Sequence, residues 1–323
     1  MRGILLKVRG VLVMFILAVF MSQLAFTGPP DGPGGGSLPG FRLVATDVGA
    51  ALYQNDTAND GHQFVQVVHL DRGAAIQLLH GDIVDPGQDE GVYGGDNPLI
   101  STQALADVWT TISSEHPHAF CLTNGQFYSA HTSSVRLSFP LKIDGSIVSD
   151  GFAIDQFADH QLMLELWPHK ANIRPLTEAA LHDSTAPHIL TGLAEDADGR
   201  RPNMITGRTF IGVGQPRLDG SYTTIFIFTS RWTRKTEAAA ALRRFGAEKV
   251  MMLDGGASTQ LICQGDSYIG PGRYIPQTIA VLAAPLPAWS DPLYQFDMLL
   301  FCERQMLLVE LPASPDWPRI LWC

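Results

Sequence analysis

Residues 251–261 read Met-Met-Leu-Asp-Gly-Gly-Ala-Ser-Thr-Gln-Leu, and this stretch carries the strongest indication of fold and chemistry in the chain. The apolar run Val250–Leu253 predicts a buried strand, and Asp254 follows directly at its carboxyl end. Gly255 and Gly256 permit a left-handed backbone or the close approach of a ligand. The same residues are also typical of a strand that ends in an ordinary Asp-Gly turn.

A helix is predicted just before this strand. The segment Thr236–Phe245 combines a hydroxyl N-cap, strong helix formers and two arginines in the last turn, and Gly246 stands where a helix-ending glycine belongs. This order places Asp254 at the end of a strand, where the sites of α/β-type sheets collect. The stretch Gly256–Gln260 also partly resembles a nucleophile elbow, but Gln260 replaces its final glycine.

Two further polar clusters follow or begin predicted strands. The apolar segment Ala119–Leu122 is followed by Asn124 and Gly125, which indicate either a strand end or a type I′ hairpin turn. The segment Gly207–Gly214 begins a strand with Arg208, whose planar guanidinium suits a phosphate or carboxylate but could equally reach solvent. The residues alone leave both choices open.

In this order, the three clusters resemble the motifs of the phosphodiester glycosidase family. Asn124–Tyr128 is similar to the family's Asn-Gly-Gly-Phe-Phe element, Arg208–Gly212 to its Arg-(Thr/Ala)-x-x-Gly element, and Leu253–Thr259 to its Leu-Asp-Gly-Gly-Gly-Ser-Ser element. The resemblance covers roughly residues 60 to 285. Two departures are Gln126 and Ala257, which stand where the family usually has a second and a third glycine.

This resemblance implies an enzyme that cleaves a sugar-1-phosphodiester at its glycosidic side, as the vertebrate member does when it removes N-acetylglucosamine from mannose-6-phosphate. Neither a metal nor a cofactor is expected. The resemblance implies catalytic roles for Asp254, Arg208 and Asn124, and substrate-binding roles for Gly125, Gly255, Gly256, Ser258 and Thr259. The alternative is a non-catalytic envelope protein that binds phosphorylated glycans or takes part in exopolysaccharide metabolism, and the two departures favour it.

Strand signals recur without a regular alternation of strand and helix, which predicts an α+β fold with a mixed, mainly antiparallel sheet, packed helices and a single catalytic domain. The predicted strands are Phe64–Leu70, Ala74–His80, Phe139–Ile143, Ser146–Asp150, Leu162–Leu166, Thr209–Val213, Thr223–Thr229 and Val250–Leu253. A second helix is predicted at Thr102–Ser114. The polar, proline-bearing segment Pro168–Met204 is expected to be a long loop that faces the substrate.

Both ends of the chain are predicted to lie outside the catalytic domain. Residues 1–27 join basic residues to a short apolar run, which indicates a cleaved signal peptide or an N-terminal membrane anchor. A Gly/Pro-rich linker over 28–40, the phosphodiester glycosidase-like domain over 41–286 and an apolar, Trp/Pro-rich tail of unassigned role over 287–323 follow. The protein is therefore expected to be secreted or extracytoplasmic, with membrane contact only through its N-terminal segment.

The charge of the chain limits which classes of partner it can bind. The 22 Lys and Arg residues against 32 Asp and Glu residues give a net charge of −10, which argues against nucleic-acid binding. A sugar phosphodiester or phosphorylated glycan is the expected partner, and the oligomeric state is not predicted.

The four cysteines Cys121, Cys263, Cys302 and Cys323 allow three full pairings. A Cys121–Cys263 disulfide would brace the site if the two strand ends converge, and two buried free thiols fit equally well.

Overall fold

A computed structural model describes residues 40–55, 63–86, 91–129, 132–153, 156–197 and 203–285. The predicted N-terminal segment, the linker up to residue 39 and the tail from residue 286 lie outside these ranges. None of the helices in the described ranges has both the length and the hydropathy needed to cross a bilayer.

The described residues form three sheets and three α-helices. The strands are β1 Phe41–Asp47, β2 Ala50–Asn55, β3 Gln63–His69, β4 Ala75–His80, β5 Ile83–Asp85, β6 Leu99–Ser101, β7 Ala119–Asn124, β8 Ser134–Val135, β9 Leu141–Ile143, β10 Ser146–Ser149, β11 Gln161–Trp167, β12 Lys170–Pro175, β13 His188–Ala194, β14 Thr206–Pro216, β15 Tyr222–Thr233, β16 Lys249–Met252, β17 Leu261–Cys263, β18 Asp266–Ile269 and β19 Gln277–Leu282. The helices are α1 Leu105–Glu115, α2 Glu178–Asp183 and α3 Lys235–Arg244.

The largest sheet has eleven strands in the order β1-β2-β3-β15-β12-β11-β13-β16-β14, with β9 beside β13 and β10 beside β9. Strand β14 also pairs with β15, so the six strands from β15 to β14 form a closed ring. A second sheet has the order β18-β17-β7-β19-β4, and a third has the order β5-β6-β8. Closure satisfies strand edges that would otherwise be exposed.

The main hydrophobic core joins the two larger sheets. Ile225 and Ile227 of β15 belong to the same buried cluster as Leu261 and Ile279 of the five-stranded sheet. The intervening residue Phe226 points to the opposite face of β15 and packs with α3. Helix α1 covers the outer face of the five-stranded sheet. Strand β15 is therefore buried on both faces, which explains its central apolar run Ile225–Phe228.

The predicted α+β fold with a mixed sheet and packed helices is wrong. The described residues are mostly β, with 50% strand, 16% helix and large antiparallel sheets, and the three α-helices among them are short. The physical reason is that strands distant in sequence complete the sheets, as β4 does by pairing with β19, and such pairing leaves no local periodic signal. Strands β1 and β2, which pair with each other as neighbours in sequence, were also not revealed by the sequence patterns.

All eight predicted strands are present with shifted ends, and both predicted helices form. Helix α3 begins earlier than predicted, because Arg234 rather than Thr236 is its N-cap and the Glu237 carboxylate accepts the Arg234 backbone N–H at 3.0 Å.

The prediction of a long loop over Pro168–Met204 is wrong. This segment contains β12, α2 and β13, and both strands lie inside the larger sheet.

One of the alternatives for the cysteines is realised. Cys121 of β7 and Cys263 of β17 lie directly opposite each other in the sheet and form a disulfide that spans 142 residues of sequence. The alternative of two buried free thiols is therefore wrong. Cys302 and Cys323 lie outside the described residues.

Candidate functional site

The three sequence clusters meet at one end of the fold. Strand β16 pairs with β14, and just beyond it the Leu253 backbone N–H donates to the Thr209 carbonyl at 2.9 Å. The Asp254 backbone N–H donates to the carbonyl of Gly125, just after β7, at 3.1 Å. Main-chain hydrogen bonds thus hold all three segments together, and the Asp254 side chain is partly exposed there.

Asn124 connects the segments through its side chain. Its Nδ2 donates to the Asp254 carbonyl at 2.7 Å, and its Oδ1 accepts from Thr209 Oγ1 at 2.8 Å. The same Oδ1 accepts from the Gln260 backbone N–H at 3.4 Å, and the Asn124 side chain is only 1% exposed. Neither Asn124 nor Gly125 has a positive φ, so the type I′ turn considered from the sequence is absent here. The amide therefore fixes the backbone that carries Asp254.

The glycines of the motifs have two different environments. A side chain at Gly125 would overlap the Gln277 side chain, and a Cβ at Gly255 would lie 2.5 Å from the Gly207 carbonyl oxygen. These two glycines allow protein segments to pack closely against each other. Gly256 is different, because it has a φ of +62° and the space around its missing Cβ is open.

The close packing at Gly207 gives a testable expectation. A Cβ there would overlap the Gly256 carbonyl and lie 2.6 Å from Thr259 Oγ1. Gly207→Ala is therefore expected to destabilise the protein by about 2 kcal/mol, as overpacking of a rigid site does. The measurement is urea denaturation, with Gly270→Ala as the control because a Cβ there has its nearest contact, Ser267 Oγ, at 3.7 Å. Equal stability of the two variants would contradict the packing role of Gly207.

Arg208 lies on β14 beside this turn, with its Cα 3.6 Å from the position a Gly255 Cβ would take. Its side chain is 7% exposed, and its Nη2 donates to the Met204 carbonyl at 3.3 Å. Burial lowers the pKa of the guanidinium, because removal from water disfavours its charged form. The Arg208 backbone thus lies next to the Asp254 turn, and its largely buried guanidinium is bonded to the Met204 carbonyl.

Ser258 and Thr259 are fully buried, so neither hydroxyl opens directly to solvent. The Ser258 hydroxyl lies 3.1 Å from the Tyr128 hydroxyl, which in turn donates to the Tyr274 carbonyl at 3.3 Å. Burial is the main cause that raises the pKa of Tyr128; the charge of Asp254 raises it further, while the Ser258 hydrogen bond and the charge of Arg273 lower it. A carboxylate and a guanidinium therefore both act on this hydroxyl.

Sequence reasoning assigned no role to Tyr128, Arg273 or Tyr274, although all three lie at the site. Tyr128 ends the first motif, and the two glycines that precede Arg273 are the signal that could have marked a loop packed on the site. Within the described part of the chain, no group of three or more His, Cys, Asp or Glu side chains is arranged to hold a metal ion. The chemical groups at the site are the Asp254 carboxylate, the guanidinium groups of Arg208 and Arg273, the Tyr128 phenol and backbone N–H groups.

Comparison with known proteins shows the family. The sequence model of the phosphodiester glycosidases matches residues 104–282, which is more than half of the chain. The chain belongs to the phosphodiester glycosidase family. This matched region contains all three clusters and also Tyr128 and Arg273.

Two solved structures are similar to this chain. One is the zebrafish N-acetylglucosamine-1-phosphodiester α-N-acetylglucosaminidase catalytic domain auto-inhibited by its pro-peptide, with 14% identity, a TM-score of 0.47 and coverage of 76% of this chain and 82% of that chain. The other is a hypothetical protein from Synechocystis, with 12% identity, a TM-score of 0.42 and coverage of 77% and 64% respectively. No curated protein matches the sequence.

Proposed function

We propose that the protein is a hydrolase that cleaves a sugar-1-phosphodiester, such as an N-acetylglucosamine-1-phosphodiester, between the anomeric carbon and the phosphate oxygen. The convergence of the three family motifs around the partly exposed Asp254 supports this proposal most directly. Membership of the phosphodiester glycosidase family supports the same class of reaction.

Asp254 is the proposed reacting carboxylate. A phosphate diester is already a good leaving group, so cleavage at the anomeric carbon does not depend on a second carboxylic acid that protonates it. The remaining needs are activation of water and stabilisation of the oxocarbenium-like sugar. A carboxylate at the mouth of the site meets both, as a general base or as a fixed negative charge.

The other motif residues are proposed to prepare the site around this carboxylate. Arg208 and the backbone N–H groups of Gly255 and Gly256 supply positive potential for the phosphate. Asn124 is a positioning residue, because its amide holds the Asp254 backbone. Ser258 acts through Tyr128, whose hydroxyl it contacts. Thr259 and Gly125, for which the family resemblance implies substrate binding, are buried and closely packed, and their proposed role is to support the turn.

The departure at Gln126 does not favour the non-catalytic alternative. Its side chain is buried, its Oε1 accepts from Thr191 Oγ1 at 3.4 Å, and its backbone N–H donates to Gln277 Oε1 at 2.9 Å. The side chain therefore points into the protein and leaves the approach to Asp254 open. Ala257 is exposed and small, so it does not fill the site either.

An extracytoplasmic location is part of the proposal. The Cys121–Cys263 disulfide supports it, because such bonds persist in oxidising compartments. Residues 1–27 would provide the signal peptide or anchor, and the membrane would be contacted only through them.

The direct test uses the full chain with a chromogenic or UDP-linked N-acetylglucosamine-1-phosphodiester in water labelled with heavy oxygen. Cleavage at the anomeric carbon releases free sugar that carries the label, whereas attack at phosphorus leaves the label in the phosphate. Labelled phosphate would contradict the proposal. Binding without release of sugar would favour the non-catalytic glycan-binding protein.

A further inference from the structure

We propose that the segment Gly270–Tyr274, named here the acceptor loop, binds the part of the substrate beyond the sugar: Arg273 holds the phosphate and Tyr274 stacks on a ring of the group esterified to it. This inference rests on the proposed function and specifies its substrate class. The preferred substrate would be a glycosyl phosphodiester with a ring on the acceptor side.

The acceptor loop is fixed to the Asp254 turn by its main chain. The Arg273 backbone N–H donates to the Ala257 carbonyl at 3.1 Å, and its carbonyl accepts from Gln260 Nε2 at 2.8 Å. Gly272 packs so closely that a side chain there would overlap the Ala257 carbonyl. The Tyr128 hydroxyl holds the Tyr274 carbonyl at 3.3 Å. Both side chains of interest therefore start from a backbone with little freedom, which lowers the entropic cost of ordering them on a ligand.

Arg273 provides the more accessible cation of the site. Its side chain is partly exposed, whereas that of Arg208 is 7% exposed. The backbone of Arg273 is bonded to the Asp254 turn at Ala257 and Gln260, and the charges of Arg273 and Asp254 shift the pKa of Tyr128 in opposite directions. In the proposed arrangement the carboxylate lies near the anomeric carbon and the guanidinium binds the phosphate oxygens.

Tyr274 presents an aromatic surface next to this cation. Its side chain is 62% exposed although its backbone is held by Tyr128 and lies next to Arg273. Exposed aromatic rings on a fixed backbone beside a polar pocket are typical of surfaces that stack on ligand rings. With the sugar at Asp254 and the phosphate at Arg273, the group beyond the phosphate lies over Tyr274.

The test compares three diesters of N-acetylglucosamine-1-phosphate, with methyl, benzyl and glucos-6-yl groups on the acceptor side. Arg273→Gln should lower kcat/KM for all three by at least about tenfold, as loss of a charge-assisted bidentate contact does, and Arg273→Lys should recover only part of it. Tyr274→Ala should lower kcat/KM for the two ring-bearing diesters and leave the methyl diester unchanged, while Tyr274→Phe retains all three. Arg217→Gln, at an exposed arginine at the far end of β14, is the control.

The outcomes separate this inference from the proposed function. Wild-type kcat/KM in a folded Arg273→Gln variant, or an equal loss on all three diesters in Tyr274→Ala, would overturn the acceptor-loop assignment. A preference for the glucos-6-yl over the benzyl diester would identify a sugar acceptor, and the reverse an aromatic one. If the wild type hydrolyses no diester, the hydrolase proposal fails, and calorimetric binding of the benzyl diester decides the loop: binding lost in Arg273→Gln supports it, and binding that is absent or unaffected overturns it.

Discussion

Asp254→Asn is expected to lower kcat by about a thousandfold, in the middle of the range for removal of a general base, with a much smaller change in KM. The amide keeps the size of the carboxylate but cannot accept a proton from water and carries no negative charge for the developing sugar cation. Its backbone contacts with Asn124 and Gly125 do not involve the carboxylate, so the turn should remain in place. Initial rates on an N-acetylglucosamine-1-phosphodiester measure the effect.

The matched control for this variant is Asp266→Asn, because Asp266 is an exposed carboxylate on β18. It should retain the wild-type rate and thermal stability. A second readout is the titration of Tyr128 by ultraviolet absorbance, since loss of the Asp254 charge should lower the pKa of Tyr128 toward its ordinary value while burial keeps it raised. Full turnover by a folded Asp254→Asn enzyme would remove Asp254 from the reaction.

Removal of the disulfide is expected to cause the largest loss of stability. The Cys121→Ala/Cys263→Ala double variant should unfold at lower denaturant, with a loss of about 4 kcal/mol, because the bond closes a long loop and restricts the unfolded chain. The two alanines fit between β7 and β17 without unsatisfied polar groups. Guanidinium denaturation under oxidising conditions measures the change in the free energy of unfolding.

Reductant provides the internal control for the disulfide. It should destabilise the wild type by a similar amount and leave the double variant unchanged. Activity at low temperature should survive in the double variant, because Asn124 and Gln260 still meet through the sheet and their own hydrogen bond. A double variant as stable as the oxidised wild type would contradict a stabilising role for this disulfide.

Secondary-structure elements were predicted best where one continuous segment of sequence contains the whole pattern that identifies them. The strand ending before Asp254 and the helix α3 were recognised from an apolar run and from helix formers flanked by a glycine. Strands β12 and β13 were missed, because their short, interrupted alternation becomes meaningful only beside their partners in the larger sheet. The overall class was wrong for the same reason, since closure of the sheet depends on pairs such as β14 with β15 and β16 together.

The candidate site was predictable in its location but not in the direction of its side chains. Two strand ends with polar turns indicated that Asn124 and Asp254 are neighbours, and the Asn124 amide bonds to the Asp254 carbonyl. The burial of Asn124 was not predictable, because its side chain bonds to Thr209, Asp254 and Gln260, which lie far away in sequence. Arg273 was missed because its place depends on the packing of Gly272 against Ala257, which no local pattern encodes.

The Asn124 amide also has a consequence for how the protein is made. Its partners Thr209, Asp254 and Gln260 lie 85, 130 and 136 residues along the chain, so the site has a high contact order. A nascent chain that has not yet emerged beyond Gln260 lacks one of these partners, so the hydrogen bonds around Asn124 are incomplete. The proposed hydrolytic activity should therefore appear only late in folding, and partly folded intermediates should be inactive.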